Sequence, residues 1–211
     1  LLILGGPALV TTTLISLASI VYLAMYLTFI GMDRGLHTWV QAAGAVGWIL
    51  AAALLQAGRP VADAVPALAA FLILTVAGER LELARMGMLT PARRATFLVA
   101  AGVFGLGVVA ATWLPDAGLR FGGVGLLALA AWLARYDIAR RTVRLPGVTR
   151  YIALCLLAGY GWLAVGGGAW LAFGAAAPPL ARDAMLHALF LGFVISMVYG
   201  HAPVILPAVL R

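Results

Sequence analysis

Seven runs of apolar residues, each about long enough to cross a bilayer as a helix, limit this chain more than any other feature. They cover about 8–30, 38–57, 61–78, 92–114, 119–138, 150–174 and 183–207. A hydrocarbon core about 30 Å thick takes roughly 20 residues of helix. Lipid offers no partner to an unpaired backbone N–H or C=O, so such runs are helical. The expected fold class is therefore all-α: a polytopic integral membrane helix bundle with about seven transmembrane helices, forming a single membrane domain over 1–211. The third run is short and interrupted by Asp63 and Pro66, which leaves its start open. Thr90-Pro91 reads as N-cap and first helical position of the fourth helix. "AAAPPLARD" reads as the turn before the seventh.

The residues between the runs are too few for a separate soluble catalytic domain. No Walker, Rossmann or His-Glu-x-x-His pattern occurs, so nucleotide chemistry is not expected. The 14 basic residues are all arginine, and the formal net charge is +7. They fall between spans, where membrane topology rather than nucleic acid accounts for them. Loops one, three and five hold Arg34; Arg80, Arg85, Arg93 and Arg94; and Arg135, Arg140, Arg141, Arg144 and Arg150. The even loops hold only Arg59, Arg120 and Arg182. The odd loops are therefore expected to be cytoplasmic, with the N-terminus outside, Arg211 inside, and the protein multi-pass in a bacterial inner membrane. An outside N-terminus with neither a start methionine nor a signal pattern reads as part of a longer chain. Cys155, the single cysteine, reads as a small buried hydrophobe. Ala43 with Gly47, Ala101 with Gly105, and the glycines of 159–168 read as packing seams.

Chemistry concentrates in "LHALFLGFVISMVYGHAPVILP" (186–207), an apolar span with His187 near one end and His201 near the other. Fourteen residues at 100° each place the two imidazoles about 40° apart in direction and roughly 21 Å apart in height, on one face. Asp183, four residues before His187, is positioned to orient its ring and leave the second nitrogen free to ligate. Three readings stay open for these rings: axial ligation of haem, a quinone or proton site, or hydrogen bonding to a neighbouring helix or the headgroups. His37 in "GLHTWVQ" begins the second span on the side of His201, and is either a second ligand to one haem or an interfacial residue beside Trp39. Glu79, Glu82 and Arg85 in "GERLELARM" read as a solvated cluster, with Glu79 near enough to the membrane to admit protons. Asp63 reads as solvated.

From the fifth span onward the sequence resembles the NnrS family, polytopic membrane proteins associated with haem, copper and the response to nitric oxide. The residues concerned are "WLARYDIARRTVR" (132–144), "LAGYGWLAVGGGAW" (157–170) and "HALFLGFVIS" followed by Met197. The resemblance covers about residues 130–211. It implies His187 and Met197 as family-type positions, with His201 less firmly placed. The family often has Trp-His where this chain has Tyr136-Asp137, and its later Gly-His is followed by Thr rather than by Ala202-Pro203. The expectations carried forward are a haem-binding protein of respiratory or nitrogen-oxide metabolism, with haem b and a possible copper. His187 and His201 are its candidate metal ligands, His37 a further cofactor residue, and Asp183 and Met197 supporting residues. The alternatives are a non-catalytic or assembly subunit of a larger membrane complex, and a transporter. The expected partners are membrane lipid and other membrane subunits, with no nucleic acid or nucleotide.

Overall fold

A chain that must close every backbone hydrogen bond within itself has little choice but helix, and helix is what it forms. The structure, a computed structural model, describes residues 8–84 and 89–210. Arg85 and Arg211, both used in reading the topology, lie outside the described residues. Among the described residues, seven spans are long and apolar enough to cross a membrane. The first six contain α1 (Ala8–Met32), α2 (Leu36–Gln56), α3 (Val61–Ala84), α4 (Pro91–Ala110), α5 (Pro115–Tyr136) and α7 (Val148–Phe173). A single-turn α6 (Ala139–Thr142) joins α5 to α7. The last span is composite: α8 (Pro179–Leu186), a π-helical stretch (His187–Val194) and α9 (Ile195–Val209). The described residues include no strand, and the chain is an all-α, multi-pass membrane bundle.

Local chemistry sets the ends. Thr90 caps α4, its hydroxyl accepting from Arg93 N at 3.3 Å, with Pro91 in the first turn where a missing N–H costs nothing. Asp63 lies in the first turn of α3, where a negative charge complements the helix dipole, and takes the Arg59 guanidinium at 2.7 Å. Pro66 is accommodated inside α3. The helix then continues past the expected end near 78 to Ala84, and so carries Glu79, Arg80 and Glu82 as helical residues.

The chain divides within α3 into two compact units, Leu1–Glu79 and Arg80–Arg211. In the first, aromatic rings do much of the packing. Trp48 stacks on Phe71 with centroids 4.8 Å apart, and Tyr22 meets Phe71 edge-on at 5.4 Å. Gly44 and Gly47 let α2 approach the α3 backbone, since a Cβ on either would lie 2.9 or 3.0 Å from the carbonyl of Phe71 or Ala67. The close partner of Gly47 along α2 is thus Gly44, whereas Ala43 is exposed.

In the second unit the tightest seam joins α4 to α5. A Cβ on Gly107 would collide with the backbone of Gly122, and one on Gly125 with that of Phe104. Gly105 has open space around it, so the expected Ala101–Gly105 pair is not this seam. A small residue permits close approach but does not say which face is used. Gly123 against Leu171 and Gly167 against Leu126 bring α5 to α7, and Gly166 against Leu189 brings α7 to the last span. Arg120 closes one end. Its Nε donates to Asp116 at 2.9 Å, and its Nη1 donates to the Leu171 and Ala172 carbonyls at 2.9 and 2.8 Å. These are among the last carbonyls of α7, which lack helical partners of their own.

Candidate functional site

The extension of α3 changes the status of Arg80. As a helical residue it is 4% exposed, a charged side chain buried in the second unit. Its Nη2 donates to Nε2 of His201 at 2.8 Å. A guanidinium can only donate, so the Nε2 lone pair must accept, and the ring proton sits on Nδ1. Nδ1 in turn donates to the Met197 carbonyl at 2.6 Å. His201 is therefore the neutral Nδ1–H tautomer, with both ring nitrogens engaged.

Two further buried polar residues belong to the same unit. Asp137 ends α5 and is 3% exposed; its Oδ1 accepts from Ala139 N at 2.7 Å, which starts α6. Tyr160, on α7, is 2% exposed and lies within electrostatic reach of both the Asp137 carboxylate and the Arg80 guanidinium. Among the described residues, Nε of Arg80, Oδ2 of Asp137 and the hydroxyl of Tyr160 are buried and lack a partner in good hydrogen-bond geometry, although the Tyr160 hydroxyl is near enough to the Asp137 carboxylate and the Arg80 guanidinium to interact with both. Such groups cost about 1–3 kcal/mol each when left unmet. One is an obligate donor, one a carboxylate oxygen, and one able to do either. Asp137 also lines a cleft of about 420 Å³ with Arg135, Arg140, Arg141 and Arg144. Beside it, the Arg93 guanidinium lies 5.0 Å from the centre of the Tyr136 ring, and Trp132 Nε1 donates to the Arg93 carbonyl at 2.9 Å.

The residues expected from the sequence are distributed more widely. His187 lies at the surface, its side chain 57% exposed. Its Nδ1 donates to the Asp183 carbonyl at 2.8 Å, with the Asp183 carboxylate 3.4 Å away, and Nε2 has no hydrogen-bond partner among the described residues. Met197 is buried, its Cε packed where a Cβ on Gly159 would stand. His37 belongs to the first unit, where it is buried with Nε2 3.8 Å from Asp33 Oδ2. Gly35 makes room for that ring, since any Cβ there would strike it. The common face expected for His187 and His201 presumed α geometry throughout. The π-helical stretch between them closes wider rings, i to i+5, and changes the rotation between the two imidazoles. Of the expected residues, the structure joins His201 to Met197 and His187 to Asp183, as two separate pairs.

His187 keeps a ring nitrogen available for ligation, and His201 does not. Iron needs a nitrogen lone pair, and at His201 the Arg80 bond takes it. Among the described residues, no three His, Cys, Asp or Glu side chains gather in a way that could hold a metal ion. The sequence alone places Arg80 in a loop and does not reveal that Asp137 and Tyr160 are buried. The only hints were the break in the charge rule made by a carboxylate beside "ARYDIARR", and a tyrosine deep within an otherwise apolar run.

No functionally curated protein and no solved structure matches the chain. A family model described as a domain of unknown function, DUF8744, matches residues 1–211, and the chain belongs to that family.

Proposed function

We propose that the protein is a membrane-embedded binding protein for a lipophilic quinone, held by Arg80, Tyr160 and Asp137. The observation that supports this reading is a buried guanidinium, phenol and carboxylate, with Tyr160 in reach of the other two and an atom of each outside good hydrogen-bond geometry among the described residues. A quinone carbonyl accepts from Arg80 Nε–H and the Tyr160 hydroxyl, and the hydroxyl of the reduced form donates to Asp137 Oδ2. His201 fixes the guanidinium through Nη2, leaving Nε for the ligand. In the orientation expected from the arginines, this cluster belongs to the cytoplasmic end of a bacterial inner-membrane protein, a setting suited to respiratory metabolism. The test is binding of decylubiquinone to protein purified free of quinone, followed by tryptophan fluorescence. Arg80→Gln and Tyr160→Phe are expected to weaken binding about tenfold each, the loss of a hydrogen bond to a charged or buried group. Absence of binding by the parent protein would leave the three atoms to ordered water and end the proposal.

A second reading retains the haem- or copper-associated function that the resemblance to the NnrS family implies, and it rests on His187. The Nδ1–H bond to the Asp183 carbonyl leaves the Nε2 lone pair for a ligand, the arrangement found at ligating histidines. When bound, haem would supply ligand binding at iron or electron transfer. Within this chain, Asp183 would hold the His187 ring. A Soret band lost in His187→Ala and kept in His201→Ala is the expected result for this reading, and a purified protein without iron or copper excludes it.

A further inference from the structure

The loop between α5 and α7 is folded rather than loose, and its folding gathers charge. Asp137 stops α5, its Oδ1 starts α6, and the single turn of α6 sets Arg140 and Arg141 with Arg135 and Arg144 around one cleft. Gly147, at φ +69°, then turns the chain into α7 with a backbone conformation that L side chains rarely adopt. None of the four arginines has a carboxylate partner within ion-pair distance among the described residues, and the carboxylate at the cleft, Asp137, is buried and bonded to Ala139 N. Four arginines thus line one cleft with a single acid, the Arg135 guanidinium also lying 5.4 Å from the centre of the Tyr136 ring. Large apolar side chains interleave with them along the chain and are exposed: Ile138, Leu145, Val148 and Tyr151, between 47% and 59%.

We propose that this cleft holds the headgroup of an anionic phospholipid, its phosphate on the arginines and its acyl chains along the exposed apolar residues of the loop and the start of α7. Guanidinium groups recognise phosphate through paired, charge-assisted hydrogen bonds. The cleft volume of about 420 Å³ is more than ten times the roughly 30 Å³ a water takes in the liquid. That is room for a phosphoglycerol group. A soluble phosphate would use the charge and leave the apolar neighbours idle; a lipid uses both. Basic residues do gather at one end of membrane spans for topological reasons alone. Topology, however, asks only for charge in the loop and is indifferent to convergence on one cavity.

The experiment uses the full chain in neutral detergent with phosphatidylglycerol, phosphatidylcholine, glycerol 3-phosphate and inorganic phosphate as separate probes. Phosphatidylglycerol is expected to raise the thermal midpoint and to remain bound in native mass spectrometry, while the other three do neither. The Arg140→Gln/Arg141→Gln double variant should bind it roughly thirtyfold more weakly, at about 1 kcal/mol per basic residue near an anionic surface. Arg94→Gln, which removes a charge outside the cleft, should change it by less than about twofold. Should the double variant not fold, Arg144→Lys keeps the charge, loses the planar fork, and is expected to weaken binding about threefold. Equal retention of phosphatidylcholine, or unchanged binding in whichever cleft variant folds, overturns the proposal. Equal stabilisation by either soluble phosphate reassigns the cleft to a soluble ligand and overturns it as well.

Discussion

The Arg80 guanidinium donates to Nε2 of His201 across 2.8 Å, and that bond dictates which nitrogen of the imidazole bears the proton. A histidine so held is an anchor for a buried cation. Replacing Arg80 with Met removes the guanidinium donor from a partly buried Nε2. The expected loss is about 1–3 kcal/mol, read as a lower unfolding midpoint in detergent. Ring ¹⁵N shifts of His201 should keep the Nδ1–H form in the variant, because Nδ1 still donates to the Met197 carbonyl, while the Nε2 resonance moves as it loses the guanidinium.

His187 is fixed differently. Its Nδ1 donates to a backbone carbonyl, with the Asp183 carboxylate 3.4 Å away and both side chains more than half exposed. Asp183→Ala should therefore leave the His187 tautomer as it is and change stability by less than about 0.5 kcal/mol. The measurement is the same pair of ring ¹⁵N resonances, recorded with and without the substitution.

Close approach of α4 and α5 depends on glycine at particular places. Gly107→Val would press side-chain atoms into the Gly122 backbone, which cannot yield as a flexible side chain would. A loss of about 1–3 kcal/mol or more is expected, seen as aggregation on size exclusion or a large drop in midpoint. Gly105→Ala, two residues away in open space, should be neutral or slightly stabilising because it gains helix propensity.

Arg120 and Asp116 hold the end of α7 and the turn that follows, through the Leu171 and Ala172 carbonyls and Ala175 N. Arg120 is 40% exposed, so solvent weakens the ionic part. Arg120→Ala should cost about 1 kcal/mol. Amide hydrogen exchange should accelerate over residues 172–176 in preference to the middle of α7.

The spans were readable because length and apolarity in lipid leave only helix, and the observed ends lie within a few residues of the expected ones for most of them. Thr90-Pro91 could be read because capping is local. Arg80 could not: "GERLELA" is polar enough to look like a loop, and burial of its arginine depends on partners 80 and 121 positions away, Tyr160 and His201. Asp137 reads in sequence as a departure from a resembled pattern, and only folding shows that its carboxylate is buried. The seams were half legible, since glycine marks a possible close approach while the facing helix decides whether it is used. The π-helical stretch leaves no trace in periodicity, because "HALFLGFV" is apolar all round.

That stretch works as a phase shifter in the last span. Eight residues wound in wider rings set the angular position of everything after them. Trp162 lies against Gly192 so closely that a methyl there would stand 2.5 Å from the indole. Relaxing the stretch to α pitch would swing Met197 and His201 around the rod and part the imidazole from Arg80. The bearing of His201 is thus tuned by the pitch of a stretch seven to fourteen residues upstream, without any contact at the imidazole itself.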